Sequence, residues 1–344
     1  ATLAKADTAV ASFEKDDKTF VHVLRNFLRR NPTMIPALVL VLSILAFGIL
    51  APRFLGVGAL STVLKQVTVT GFVALAQTLI ILTAGIDLSV GAILVVSSLV
   101  MANLAVFSGV PVIIAVLIGI FVGGIMGMVN GLLVTLMRLP PFIVTLGTLS
   151  IFESLKLWYS QSESVRNVDI EANAAGLLFF GQGFNIGGAS ISYGGIALIL
   201  LAALLWYVLN HTAWGRHVHA IGDDPDAAML SGIRVDRTLI SVYTVAGLIC
   251  GFAAWIAIGR VGSVSPIAFD TVNLASITAV VIGGTSLFGG RGSIIGSVLG
   301  AMIVGVFITG LSLAGVDDYW QKFAAGSLVI VAVALDQWLR RASQ

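Results

Sequence analysis

The sequence predicts an all-α polytopic membrane protein of about ten transmembrane helices, on three observations. Hydrophobic residues make up 58% of the chain and charged residues 10%, against roughly 25% charged in a soluble domain, and the mean hydropathy is +1.02. The apolar residues lie in blocks rather than alternating with polar ones. No charge occurs over the 50 residues from Leu88 to Met137, or over the 22 from Asn31 to Pro52. A helix needs about 20 apolar residues to cross the ~30 Å hydrocarbon core.

Cutting the blocks at turn residues and charges places spans near 33–50, 60–83, 88–107, 112–136, 141–160, 192–210, 238–259, 273–289, 293–313 and 321–338. Gly109-Val110-Pro111 splits the long uncharged block, and Pro140-Pro141 opens the fifth span. The cuts near 84–91 and 260–292 are rich in glycine and serine, where broken or re-entrant segments are expected. Residues 1–32 read as a polar, amphipathic amino-terminal segment rather than a secretory signal, and 33–344 as one transmembrane domain.

Basic residues set the expected orientation. The first 30 residues carry ten charges, including Arg25, Arg29 and Arg30 just before the first span, which places the amino terminus in the cytoplasm. Counting alternately, Arg138, Arg216, Arg234, Arg237, Arg291 and Arg340-Arg341 fall inside, and Arg53, Arg260 and Asp317-Asp318 outside. Both termini are then cytoplasmic, the loop 211–237 is internal, and the loop 161–191 is external. The single cysteine, Cys250, falls in an apolar span and reads as a small buried side chain.

Two glycine ridges bear on packing. Gly119, Gly123, Gly127 and Gly131 recur every fourth residue in the fourth span, and Gly292, Gly296 and Gly300 do so at the start of the ninth. At that spacing glycines share a helix face and admit a neighbouring backbone. The ridges are five spans apart, an odd number, which suggests a five-plus-five inverted repeat.

The internal loop holds seven of the chain's 36 charged residues and three of its four histidines. Within it, Asp223-Asp224-Pro225-Asp226-Ala227-Ala228-Met229-Leu230-Ser231-Gly232 reads as a two-turn helix with both ends specified. Asp224 caps the first-turn amides, Pro225 suits the first helical position, and Gly232 stops the helix. Such a helix, set apart on the cytoplasmic side, reads as a docking knob for a soluble partner; an ordinary solvated loop is the alternative.

Covalent and nucleotide chemistry leave no trace. Gly289-Gly290-Arg291-Gly292-Ser293-Ile294-Ile295-Gly296 lacks the lysine of a phosphate-binding loop and the third glycine of a dinucleotide fingerprint. The candidate intramembrane charges, Lys65, Asp87, Glu153 and Lys156, all fall near a span end or turn, and no carboxylate relay crosses the bilayer. Uphill transport would draw its energy from outside the chain. An ion-coupled secondary transporter and a passive channel remain as alternatives. Nothing suggests nucleic acid as a partner.

Three ordered motifs carry a resemblance. Leu82-Thr83-Ala84-Gly85-Ile86-Asp87-Leu88-Ser89-Val90-Gly91-Ala92 and Ala279-Val280-Val281-Ile282-Gly283-Gly284-Thr285-Ser286-Leu287-Phe288-Gly289-Gly290-Arg291-Gly292 flank Thr212-Ala213-Trp214-Gly215-Arg216 and Gly222-Asp223-Asp224-Pro225-Asp226-Ala227-Ala228. Together they resemble the permease subunits of bacterial ABC importers of the ribose, xylose and fructose class. Pro140-Pro141-Phe142-Ile143-Val144-Thr145-Leu146-Gly147 and Asp336-Gln337-Trp338 look nearest to fructose importer permeases of alpha-proteobacteria. The resemblance implies a fold like that of the vitamin B12 importer and a membrane subunit, itself not an enzyme, that pairs with a second copy in the lipid of the bacterial inner membrane. It further implies a cytoplasmic ATPase partner, which alone binds ATP and magnesium, and a periplasmic sugar-binding protein; no cofactor belongs to this chain. Ribose, xylose or a nucleoside are the alternative solutes.

By the same resemblance, Asp224, Pro225, Ala227, Ala228, Met229, Leu230 and Gly232 form the ATPase-coupling helix. A hydroxylated solute is handled by amides, hydroxyls and aromatic faces, so Gln77, Asp87, Ser89, Asn103, Asn130, Thr145 and Asn273, with Trp255, are the candidates along the translocation path. Interhelical hydrogen bonding or core packing is the more ordinary explanation of each one taken singly. Asp87 in particular reads as a cap for the third helix, accepting from the amides of Ser89 or Val90.

Overall fold

The computed structural model describes residues 33–341. The expected segment 1–32 therefore lies outside the described residues. Among those described, a helix overlaps each of the ten expected positions: α1 (Met34–Leu50), α2 (Val57–Leu82), α3 (Val90–Ala102, continued by a π-helical turn Asn103–Phe107), α4 (Val112–Met137), α5 (Pro141–Ser160), α7 (Tyr193–His211), α10 (Val235–Val261), α11 (Val272–Ile282), α12 (Ile294–Leu313) and α13 (Asp318–Arg341). Between them lie α6 (Asn167–Asn173), α8 (Ala213–Asp223) and α9 (Pro225–Leu230). Six, namely α2, α3 with its π-turn, α4, α7, α10 and α12, are long and apolar enough to cross a membrane. The chain is a mostly helical, multi-pass membrane protein.

The bundle is helical as expected, and one connecting segment adds a small non-helical element. The segment 161–191 carries α6, a 3-10 stretch (Ala175–Gly181) and a two-stranded antiparallel hairpin, β1 (Gly183–Ile186) and β2 (Ala189–Ser192). Gly187 and Gly188, both at positive φ (58° and 88°), make its two-residue turn, which needs that geometry at both positions. This cap closes one end of the bundle, joined through the Val165–Val264 bridge to the segment after α10. The opposite end carries α8 and α9.

At the centre stands α2, buried without a break from Val67 to Leu82. A helix apolar on every side belongs inside a bundle, and α2 packs on α10, α11 and α12. In turn α10 packs on α2, α3 and α4, and α3 reaches α5 as α11 reaches α13. Phe72 meets Phe252 across α2 and α10 at 5.5 Å.

The first glycine ridge lies backbone to backbone on α10. A Cβ on Gly123 would sit 2.6 Å from the Gly247 carbonyl oxygen, one on Gly127 2.9 Å from Gly247 Cα, and one on Gly131 2.9 Å from Ile240 Cα. The fit is reciprocal, since Gly251 has Ile120 Cα at 2.8 Å. Gly119 instead faces the Met101 side chain of α3. In the second ridge Gly296 and Gly300 lie on the carbonyls of Gly283 and Ala279 in and after α11. Gly292 departs from expectation: α12 starts only at Ile294, so Gly292 sits in the preceding loop, where Thr285 and Leu82 side chains close over it.

A leucine at Gly123 or Gly127 should force α4 off α10 and remove most of the folded, monodisperse protein seen by size-exclusion chromatography in detergent, because no rotamer relieves a clash with backbone. Phe121→Leu, at a site 64% exposed on the same helix, should leave the yield unchanged. Equal yields at all three sites would show the close approach to be incidental.

Candidate functional site

The end of the bundle bearing α8 and α9 is built stepwise from the expected polar loop. Thr212 ends α7 and caps α8, its hydroxyl accepting from the Gly215 amide at 3.3 Å. With no side chain, Gly215 lets α8 fold back against the Leu209 backbone. Trp214 donates from its indole nitrogen to the Ser241 hydroxyl of α10 at 2.8 Å, and Val218 and Ile221 are buried. Thus α8 lies along the bundle end, an element the sequence reading took for loop because its apolar residues are few.

The short helix α9 forms as the sequence predicts, with six residues rather than two full turns. Asp224 Oδ1 accepts from the amides of Asp226 (2.9 Å) and Ala227 (3.0 Å), Pro225 occupies the first position, and Gly232 stands at φ 85°. Ala228 is buried against the bundle and Ala227 is exposed. Met229 and Leu230 are 59% and 87% exposed, an apolar tip on an otherwise polar surface.

The three motifs meet beneath this helix. The Gly290 amide donates to the Leu82 carbonyl at 3.0 Å, and a ring nitrogen of His219 lies 3.0 Å from the Gly290 carbonyl oxygen. Gly222 rests on the Leu82 carbonyl and Gly289 on that of Gly222, contacts that any Cβ would break. The end of α2, the loop after α11 and the end of α8 are therefore one joint. His219, Gly222, Gly289 and Gly290 were absent from the expected site because their meeting depends on three distant segments.

One turn deeper, six of the seven expected path residues converge on the extended stretch between α2 and α3. Ser89 donates from its amide and its hydroxyl to Asp87 Oδ1, each at 2.7 Å. The Asn130 amide of α4 donates to Asp87 Oδ2 (3.1 Å) and to the Ser89 hydroxyl (2.8 Å). The Gln77 amide, oriented to satisfy both groups, pairs with the Asp87 N–H and carbonyl at 3.1 and 3.2 Å. Thr145 of α5 accepts from the Leu88 amide (3.2 Å) and donates to the Ile86 carbonyl (3.1 Å). Asn273 of α11 accepts from the Gly91 amide at 2.6 Å.

Two expectations change. Asp87 accepts from Ser89 as foreseen, but α3 begins at Val90 and Ser89 holds the cap position, so Asp87 closes a turn before the helix. Asp87 (1% exposed) and Lys156 (5%) are buried rather than turned toward an interface. Asn103 stands apart in the π-turn, and Trp255 lies under the cap, its ring packed edge-on against Phe180 at 4.6 Å.

Comparison with known proteins agrees with these motifs. Residues 59–333 match the family model described as branched-chain amino acid transport system, permease component. The chain is 54% identical to the fructose import permease protein of Rhizobium meliloti, over 98% of this chain and 94% of that one. It is 39% identical to the ribose import permease protein of Bacillus subtilis (88% and 92%) and 34% identical to the D-allose transport system permease protein of Escherichia coli K12 (88% and 91%). No solved structure matches the chain.

Asp87→Ala should leave the Ser89 and Asn130 donors unpaired in the interior, at about 1–3 kcal/mol for each lost partner. The expected result is a clearly lower melting temperature in detergent, with Asp87→Asn falling between the variant and the native chain. An unchanged melting temperature for Asp87→Ala would show that the network does not hold the segment.

Proposed function

The chain belongs to the family of permease components matched above, and on that footing we propose that it is the membrane subunit of an ATP-driven monosaccharide importer, with fructose as its substrate. The identity of 54% to a fructose import permease, over nearly the whole of both chains, carries this reading. Further support comes from α9, a capped helix with an exposed apolar tip, which suits a groove on a soluble ATPase. In this reading the ATPase binds ATP and magnesium, this chain performs no chemistry, and a periplasmic binding protein delivers the sugar at the hairpin end.

All ten apolar helices cross the bacterial inner membrane, with α8 and α9 in the cytoplasm. Arg138, Arg216, Arg234 and Arg237 gather at that end, as the positive-inside rule requires, while Arg53 and Arg260 fall at the other. The bundle is two inverted halves. The pairings α4 with α10, α3 with α10, α3 with α4, and α3 with α5 recur as α12 with α2, α11 with α2, α11 with α12, and α11 with α13, each shifted by five spans. One α9 per chain serves one ATPase domain, so a two-domain motor engages two copies about a twofold axis. Movement of α9 reaches the helix breaks through the Gly222–Leu82–Gly290 joint.

In vesicles holding the permease, its ATPase and its binding protein, fructose should accumulate only with ATP on the cytoplasmic face. Accumulation driven by a proton gradient without ATP would defeat the mechanism; ATP-dependent uptake of ribose instead would change only the sugar. A Met229→Glu, Leu230→Glu permease should reach the membrane folded yet lose both uptake and ATPase co-purification. Normal transport by that double variant would remove α9 from the coupling role.

A further inference from the structure

A charged cluster lies where α5, α3 and the approach to α11 meet, and neither the packing nor the coupling joint uses it. Lys156 of α5 is buried, its side chain 6% exposed, with its ammonium 3.6 Å from Glu153 Oε1 and 3.2 Å from Asp270 Oδ1. Both carboxylates remain about half exposed, at 47% and 56%. With Lys156 they border a small cavity whose other walls include Gly91, Val95, Phe269 and Asn273. Three charges of net −1 thus stand together, and the two anionic members face outward from the protein interior.

Their depth makes this telling. Glu153 lies thirteen residues into the twenty-residue α5 rather than at its end as expected, so with α5 crossing the membrane as proposed it stands well inside the span. The helix α11 is eleven residues long, about 16 Å at 1.5 Å per residue, and cannot cross ~30 Å of hydrocarbon alone. The rest of that crossing is the irregular segment from Gly262 to Thr271, pinned at its start to the cap by Val264 and containing Phe269 at φ 62°. Irregular backbone at membrane depth must be enclosed by protein or border water. Asp270 and Glu153 are half exposed and ionic, so the face they open onto is aqueous.

On the premise that the chain imports a sugar, we propose that Glu153 and Asp270 line the water-filled path at mid-depth and accept hydrogen bonds from the hydroxyls of the passing polyhydroxylated solute, with Lys156 holding both carboxylates in place. Hydroxyl donors and carboxylate acceptors are matched chemistry, and exchange of water for sugar hydroxyls keeps the site weak enough for release.

The test has two arms. In a Cys250→Ala background, cysteine at 153 or 270 in the vesicle-reconstituted permease should react with a membrane-impermeant, water-borne maleimide, whereas Phe121→Cys, on the outer face of α4, should not. Labelling decides access whether or not the native chain imports fructose, and inert cysteines at both 153 and 270 would overturn the proposal. In the second arm, Asp270→Asn and Glu153→Gln should each reduce fructose uptake roughly tenfold, the loss expected when a hydrogen bond to a charged group goes, and Asp270→Glu should restore much of it. The triple variant Glu153→Gln, Lys156→Gln, Asp270→Asn leaves no buried charge unpaired. Were it to fold and import at the native rate, the carboxylates would have no part in recognition. Failure of the native chain to import fructose would count against the sugar-import reading, and the labelling would still decide the aqueous path.

Discussion

Buried backbone outside a helix must find partners for groups that a continuous helix satisfies by itself, and the core of this protein is organised around that need. The stretch from Thr83 to Ser89 connects α2 to α3, with Thr83, Asp87 and Ser89 buried in the bundle. Its amides and carbonyls are taken up by Gln77, Thr145 and the Asp87 carboxylate, while Asn273 takes the Gly91 amide one residue into α3. Gln77, Thr145 and Asn273 come from three different helices, and Asn130 of α4 joins through the Asp87 carboxylate, so the stretch also ties α2, α4, α5 and α11 together. Residues that look like solute ligands in the sequence are therefore spent largely on the backbone.

Close packing is the second requirement, and it answers the same solvent. Lipid tails compete as well as any leucine for an apolar face, so helices gain from approach rather than from burial alone. Between α4 and α10 the approach is backbone on backbone through Gly123, Gly127, Gly247 and Gly251. Between α11 and α12 it runs through Gly283 and Gly296. Such contacts have no soft side chain to yield, and they convert neighbouring helices into units that move together.

Those units meet the exposed surface at one joint. Gly222, Leu82, Gly289 and Gly290 touch through main chain alone, with His219 beside them. Main-chain contact passes on displacement with little slack, so the end of α8, the end of α2 and the loop after α11 form one stiff corner. The weak, half-exposed carboxylates beside Lys156 show the opposite character, and their openness suits transient contact.

By itself the sequence determined what one-dimensional physics can carry. Apolar blocks cut at turn residues and charges located most helices to within a few residues, and in α5 both ends matched. Local hydrogen bonding in Asp224 to Gly232 fixed α9, because a cap needs only neighbours along the chain. The i, i+4 glycines marked a packing face without naming its partner. Tertiary structure alone decided the rest: that α11 stops at Ile282, that α8 lies flat on the bundle end, that Gly292 falls outside its ridge, and that Asp87, Gln77, Asn130 and Thr145 serve one another. Pairing of Asp87 with Asn130, or of Leu88 with Thr145, more than forty positions away, depends on which helices become neighbours, and no local pattern in the chain encodes that choice.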